Sequence, residues 1–156
     1  MNWQEVCDDP HLRDLPYKVE LNQHGQIVMS PASNQHGKFQ TLIAAGLLTR
    51  ADGGEVITET SIDTGQGTKV ADVSWGSAGF YKSCGIVTPL PKAPELCVEI
   101  VSPSNSSGEM EEKAGLYFGH GAKEVWLCDE EGTIEFRSPE GLLQKSALFP
   151  SFPASL

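Results

Sequence analysis

The alternation of apolar and polar residues divides the chain into short strands and two longer helices. Residues 17–22 (YKVELN) and 26–30 (QIVMS) flank a Gln23-His24-Gly25 turn, the pattern of a β-hairpin. Ser33 then opens a segment in which Phe39, Leu42, Ile43, Gly46 and Leu47 recur at helical spacing, and Gly53-Gly54 closes it. Strands are predicted at 55–62 (EVITETSI) and 70–75 (VADVSW), separated by the turn-rich DTGQGT. Residues 76–94 hold Gly76, Gly79, Gly85, Pro89, Pro91 and Pro94 and read as a long loop, a feature often functional in a compact domain. The most strand-like stretch is 95–102 (ELCVEIVS). Ser106, with Glu109 three residues on, has the form of a capping box that starts a helix to about Phe118, ended by Gly119-His120-Gly121. Residues 123–128 (KEVWLC) and 133–137 (TIEFR) pair as a second hairpin, and the tail from Leu142 adds one strand and a docked apolar end. This order predicts an α/β (α+β) fold, a sheet flanked by helices.

At 156 residues the chain has the size of one domain, read as 1–156 with an N-terminal arm (1–16) and a docked C-terminal tail (142–156). The net charge is −10, from 11 basic and 21 acidic residues. Neither half is basic, which disfavours a protein that grips duplex nucleic acid through counterion release. No apolar run approaches the ~18 residues of a membrane span. The acidic N-terminus lacks an apolar signal core, so a cytoplasmic protein is expected. Cysteines 7, 84, 97 and 128 form no C-x-x-C pair, and Cys97 and Cys128 read as small core residues inside strands. The lone G-x-G pairs at 65–67 and 119–121 lack the third glycine and strand–helix context of a phosphate loop.

Three carboxylates interrupt strands where a neutral residue would be cheaper: Glu59 in VITETSI, Asp72 in VADVSW and Glu99 in LCVEIVS. An ionised carboxylate in a central strand is costly unless paired or bound to a cation. If the second and third of these strands are neighbours, Asp72 and Glu99 converge. At ~4 Å and an effective dielectric of ~20 their repulsion is about 4 kcal/mol. A divalent cation removes that penalty, and hard oxygen ligands suit magnesium or manganese. The plainer alternative is that each carboxylate lies solvated at a strand end or pairs with a lysine. Lys113 is the other candidate, four residues after Glu109 and four before Tyr117. It either forms a surface i,i+4 pair with Glu109 or points back to the carboxylates, where it can orient a water or neutralise charge on phosphorus.

The segments TETSIDTGQGTKVADVSW, APELCVEIVSPSNSSGEMEEKAGLYFGHGAKEVWLCDEEG and the closing FPSFP resemble the Uma-type restriction endonucleases of the PD-(D/E)XK nuclease superfamily. The likeness runs from about residue 17 to the end. It implies a restriction-endonuclease-like mixed central sheet flanked by helices and Mg2+- or Mn2+-dependent hydrolysis of DNA phosphodiester bonds. By position, Asp72 and Glu99 would hold the metal, with the backbone carbonyl of Ile100 as a further ligand. Ala71 stands where the family has proline, and Val101 stands where the superfamily's E-x-K lysine would be. The resemblance supplies that lysine from the following helix, as Lys113. Glu59 matches a family position near the metal. His36 matches one at the start of the first helix, where it can equally be a helix-end histidine packed beside Phe39 and Ile43. The acidic balance implies weak DNA binding, and a homodimer, joined through the Phe149–Phe152 tail, would widen the groove. A catalytically silent binding module with the same fold, or a hydrolase of small phosphate esters, are the alternatives.

Overall fold

The computed structural model describes residues 1–156. Helix α1 (Trp3–Asp8) lies in the N-terminal arm, where the sequence pattern predicts no element. A complete capping box makes it: the Asn2 side chain accepts from the Glu5 N–H and the Glu5 carboxylate accepts from the Asn2 N–H. Strands β1 (Tyr17–Leu21) and β2 (Ile27–Pro31) form the expected hairpin, a two-stranded sheet of its own. Helix α2 (Asn34–Arg50) is capped by the Ser33 hydroxyl, which accepts from the His36 N–H at 3.1 Å, and it buries Phe39, Ile43 and Leu47.

The main sheet contains β3 (Glu55–Asp63), β4 (Thr68–Gly76), β5 (Leu96–Ile100), β6 (Glu124–Cys128), β7 (Ile134–Ser138) and β8 (Gly141–Leu143), hydrogen-bonded in that order. All neighbours are antiparallel except β5 and β6. Those two are parallel because α4 (Ser107–Gly119) carries the chain from the end of one to the start of the other. On one face of the sheet, α2 and the tail cover Val98, Trp126 and Phe136 with Phe39, Leu47, Phe149 and Phe152. On the other face, α4 and the β4–β5 connection cover Cys97, Val125 and Leu127 with Met110, Ala114, Tyr117 and Leu90. Burying both faces explains why β5 and β6 are apolar at every position except Glu99 and Glu124.

Three expectations change. The 76–94 connection holds a short helix, α3 (Ala78–Cys84), with Ser77 at its N-cap and Gly85 (φ +72°) closing it. The Ser106 hydroxyl accepts from the Glu109 N–H at 3.1 Å, but the Glu109 carboxylate accepts from Asn105 Nδ2, so the capping box is half made. Phe149 and Phe152 lie in the chain's own core, so they offer no surface for a dimer. The buried Glu124 carboxylate latches that tail, accepting from Ser146 Oγ (2.7 Å) and from the N–H groups of Ala147 (2.7 Å) and Leu148 (2.9 Å).

The β1–β2 hairpin docks against β4, where the Glu20 carboxylate accepts from the Val70 N–H at 2.7 Å. Close approach of the two backbones requires glycine at 67, since a Cβ there would lie 2.3 Å from the Leu21 carbonyl oxygen.

Candidate active site

The site forms where β4 and β5 part. Their pairing runs from Trp75↔Leu96 to Val73↔Val98 and stops before Asp72 and Glu99. The Asp72 carboxylate takes up part of the broken ladder by accepting from the Ile100 N–H at 2.7 Å. On its other side, Asp72 faces Glu59 across the β3–β4 pair, and Glu59 has left-handed backbone, φ +52°. A left-handed glutamate inside a strand breaks the pleat. Thus Val73 packs on the α2 face while Ala71 packs on the α4 face, although two residues of a regular strand share a face. Gln40, one turn after His36 on α2, satisfies the disrupted segment by donating to the Asp72 carbonyl (2.9 Å) and to Glu59 Oε1 (2.6 Å).

Glu59 is exposed. Asp72 is 0% and Glu99 2% exposed, so neither is solvated at a strand end, while the other half of the plainer reading, pairing with a lysine, holds for both. Two lysines neutralise them. Lys18 Nζ lies 2.6 Å from Asp72 Oδ1 and 3.2 Å from Glu99 Oε2. Lys113 Nζ lies 2.9 Å from Glu99 Oε1 and 2.8 Å from Glu20 Oε1. Lys113 is therefore buried among the carboxylates rather than paired with Glu109 on the surface. Tyr117, a turn further along α4, donates its hydroxyl to Glu99 Oε1 at 2.6 Å. His36 Nε2 lies 3.2 Å from Asp72 Oδ1. His36, Glu59 and Asp72 can each offer a ligand atom, all within 4.8 Å of one another. The five side chains singled out in the sequence therefore meet around Asp72 and Glu99. Ile100 contributes its N–H to Asp72 and lines the cleft.

Lys18, Glu20, Tyr117 and Gln40 complete the cluster and were not singled out by sequence. Lys18 and Glu20 alternate with Val19 and Leu21, which in isolation describes an ordinary half-solvated strand. Only the docking of the hairpin on β4 turns that face inward. For Tyr117 a signal existed, its position one turn after Lys113.

These surroundings set the protonation of the group. Burial alone would raise the Asp72 carboxyl, but Lys18, His36 and the Ile100 N–H outweigh it and hold Asp72 well below the usual carboxylate range. For Glu99 burial prevails: Lys113 and Lys18 offset it in part, Asp72 and Glu20 add to it, and the carboxyl is raised. Burial also opposes ionisation of Glu20, where Lys113 and Lys18 overcome it and the carboxyl is lowered. The hydrogen bond to Asp72 raises His36 against the opposing effect of burial. Burial and the neighbouring Glu99 carboxylate push the Tyr117 hydroxyl well above its usual value, so it remains a donor.

A mixed sheet flanked by helices on both faces, opening over a buried acidic pair, defines a restriction-endonuclease-like nuclease fold. The chain belongs to the Uma2 family, described as "Putative restriction endonuclease", whose model matches residues 8–153. It is similar to a solved structure from Anabaena variabilis, described as a putative nuclease belonging to DUF820. That likeness has a TM-score of 0.77 at 18% identity and covers 99% of this chain and 94% of the other. Comparison with the curated proteins finds no match. No helix is long and apolar enough to cross a membrane.

Proposed function

We propose that this chain is a metal-dependent endonuclease that hydrolyses phosphodiester bonds of DNA, with Mg2+ or Mn2+ held by Asp72, Glu99 and the Ile100 carbonyl. The observation that carries the reading is the buried Asp72–Glu99 pair at the fork of β4 and β5, in a chain of this family. The donors fit the ion: hard carboxylate oxygens, already drawn around a positive charge, with His36 on the same Asp72 oxygen as Lys18 and Glu59 close by. A divalent ion held there activates water as a nucleophile and neutralises charge building on the phosphoryl oxygens.

The chain's own residues do the rest. Asp72 is ionised at neutral pH and so is ready to bind a cation. Tyr117 and Lys113 both hold Glu99 Oε1, which leaves Oε2 turned toward Asp72's side of the cleft. Lys113, fixed between Glu20 and Glu99, supplies the positive charge that Val101 cannot. It acts by orienting the attacking water or by neutralising the developing charge. His36, on Asp72, can hold or give a proton at Nε2. The cleft has a volume of about 250 Å³. The same reading places a single-domain enzyme in the cytoplasm, acting as a homodimer joined through a surface other than the tail.

One observation favours a catalytically silent module instead: Lys18 already satisfies Asp72 and Glu99. Nicking of supercoiled plasmid and cleavage of single-stranded DNA at low salt separate the two readings. The nuclease reading expects cleavage with Mg2+ or Mn2+ that chelator abolishes and that falls by at least about 10³-fold in Asp72→Ala and Glu99→Ala. Folded wild type that leaves both substrates intact would overturn this reading in favour of the silent module or of a substrate other than naked DNA.

A further inference from the structure

Lys18 differs from Lys113 in where it comes from and what it bridges. Lys113 reaches Glu99 and Glu20 from α4. Lys18 projects from β1, in the separate hairpin, and its ammonium stands where Asp72 and Glu99 converge. We infer that Lys18 is a tethered counter-ion: it holds the Asp72–Glu99 pair in place and sets the site's affinity for a divalent ion, and it swings into the cleft toward the substrate phosphate when the ion is bound. The inference rests on the reading of Asp72 and Glu99 as metal ligands.

Proximity carries the argument. Lys18 Nζ occupies Asp72 Oδ1 at 2.6 Å, so an ion on that oxygen would press two cations together in a dry site. The side chain is also able to leave. It lines the cleft with Val28, Met29 and Ser30 of β2, is 11% exposed, and pivots on a flexible four-carbon stem outside both apolar clusters. Ser102, Ser104 and Asn105 line the same cleft with neutral groups. A phosphate there would find in Lys18 a mobile positive charge.

Calorimetric titration of Mn2+ into the full chain without DNA tests this, comparing wild type, Lys18→Met and Lys18→Arg. The expected result is at least about tenfold tighter Mn2+ binding by Lys18→Met, with Lys18→Arg within about threefold of wild type. DNA cleavage by Lys18→Met should nevertheless fall. Removing Lys18 leaves two buried carboxylates facing each other, so the metal-free variant loses stability. A second measurement therefore reads the rise in thermal midpoint with saturating Mn2+, expected to be larger for Lys18→Met than for wild type. Equal or weaker Mn2+ affinity in a Lys18→Met protein, with wild type still binding, would overturn the counter-ion role and leave the metal site standing. Absence of Mn2+ binding by folded wild type and folded Lys18→Met alike would overturn both.

Discussion

Glu20 shows how much of this site depends on single side chains outside any motif. Its carboxylate joins the hairpin to the cluster through Lys113 and the Val70 N–H, and its folded-state pKa lies below its ordinary value of 4.5. A carboxyl lowered by folding contributes stability that is fully present above about pH 4.5 and lost as pH falls through the folded value. Glu20→Gln should therefore cost about 2 kcal/mol at pH 7. The gap in urea midpoint between variant and wild type should narrow as pH falls below about 4.5, and a gap that stays constant through that fall would contradict the assignment. Asp72 and Glu99 were legible in sequence because charges inside apolar runs demand partners, and Lys113 through the family resemblance, its spacing alone leaving a surface pair with Glu109 open. Lys18 and Glu20 were not, since a charged face on a hairpin strand looks solvated until the hairpin docks.

At the scale of elements, the site exists because regular pairing fails at two places. Strands β4 and β5 separate beyond Val73 and Val98, and β3 breaks at Glu59 with left-handed backbone. A non-glycine residue held in that conformation stores about 1 kcal/mol or more. Glu59→Gly relieves that strain but loses the Gln40 hydrogen bond and adds glycine's larger entropy loss, so stability in urea should change by less than about 1 kcal/mol while metal-dependent cleavage falls. A variant that keeps full cleavage would remove Glu59 from the site. The hairpins, α2, α4 and the strands of the sheet follow from periodicity and capping residues. Helix α3 does not, because seven residues containing Gly79 give too little period to register among the glycines and prolines around it. The fork itself is invisible in sequence: nothing in VADVSW or ELCVEIVS marks where two strands cease to pair.

Over the whole molecule, the two apolar clusters on opposite faces of the sheet fix the carboxylates from both sides. Much of the α2-side cluster is built around Trp126, whose ring stands 4.7 Å from that of Phe152 and 5.0 Å from that of Phe136. Phe152→Ala should cost about 3–5 kcal/mol in urea unfolding without creating or breaking an oligomer in solution. Dissociation of an oligomer by this change would instead return the tail to an interface. A net charge of −10 leaves little long-range attraction for DNA, so affinity rests on contacts inside the cleft. The central claim is that Asp72 and Glu99 form a cation site opened by the parting of two strands. Anomalous diffraction from Mn2+-soaked crystals tests it most directly. The account predicts a peak in contact with both carboxylates and Lys18 turned into the cleft. Saturating Mn2+ with no peak there, and Lys18 still bridging Asp72 and Glu99, would contradict it.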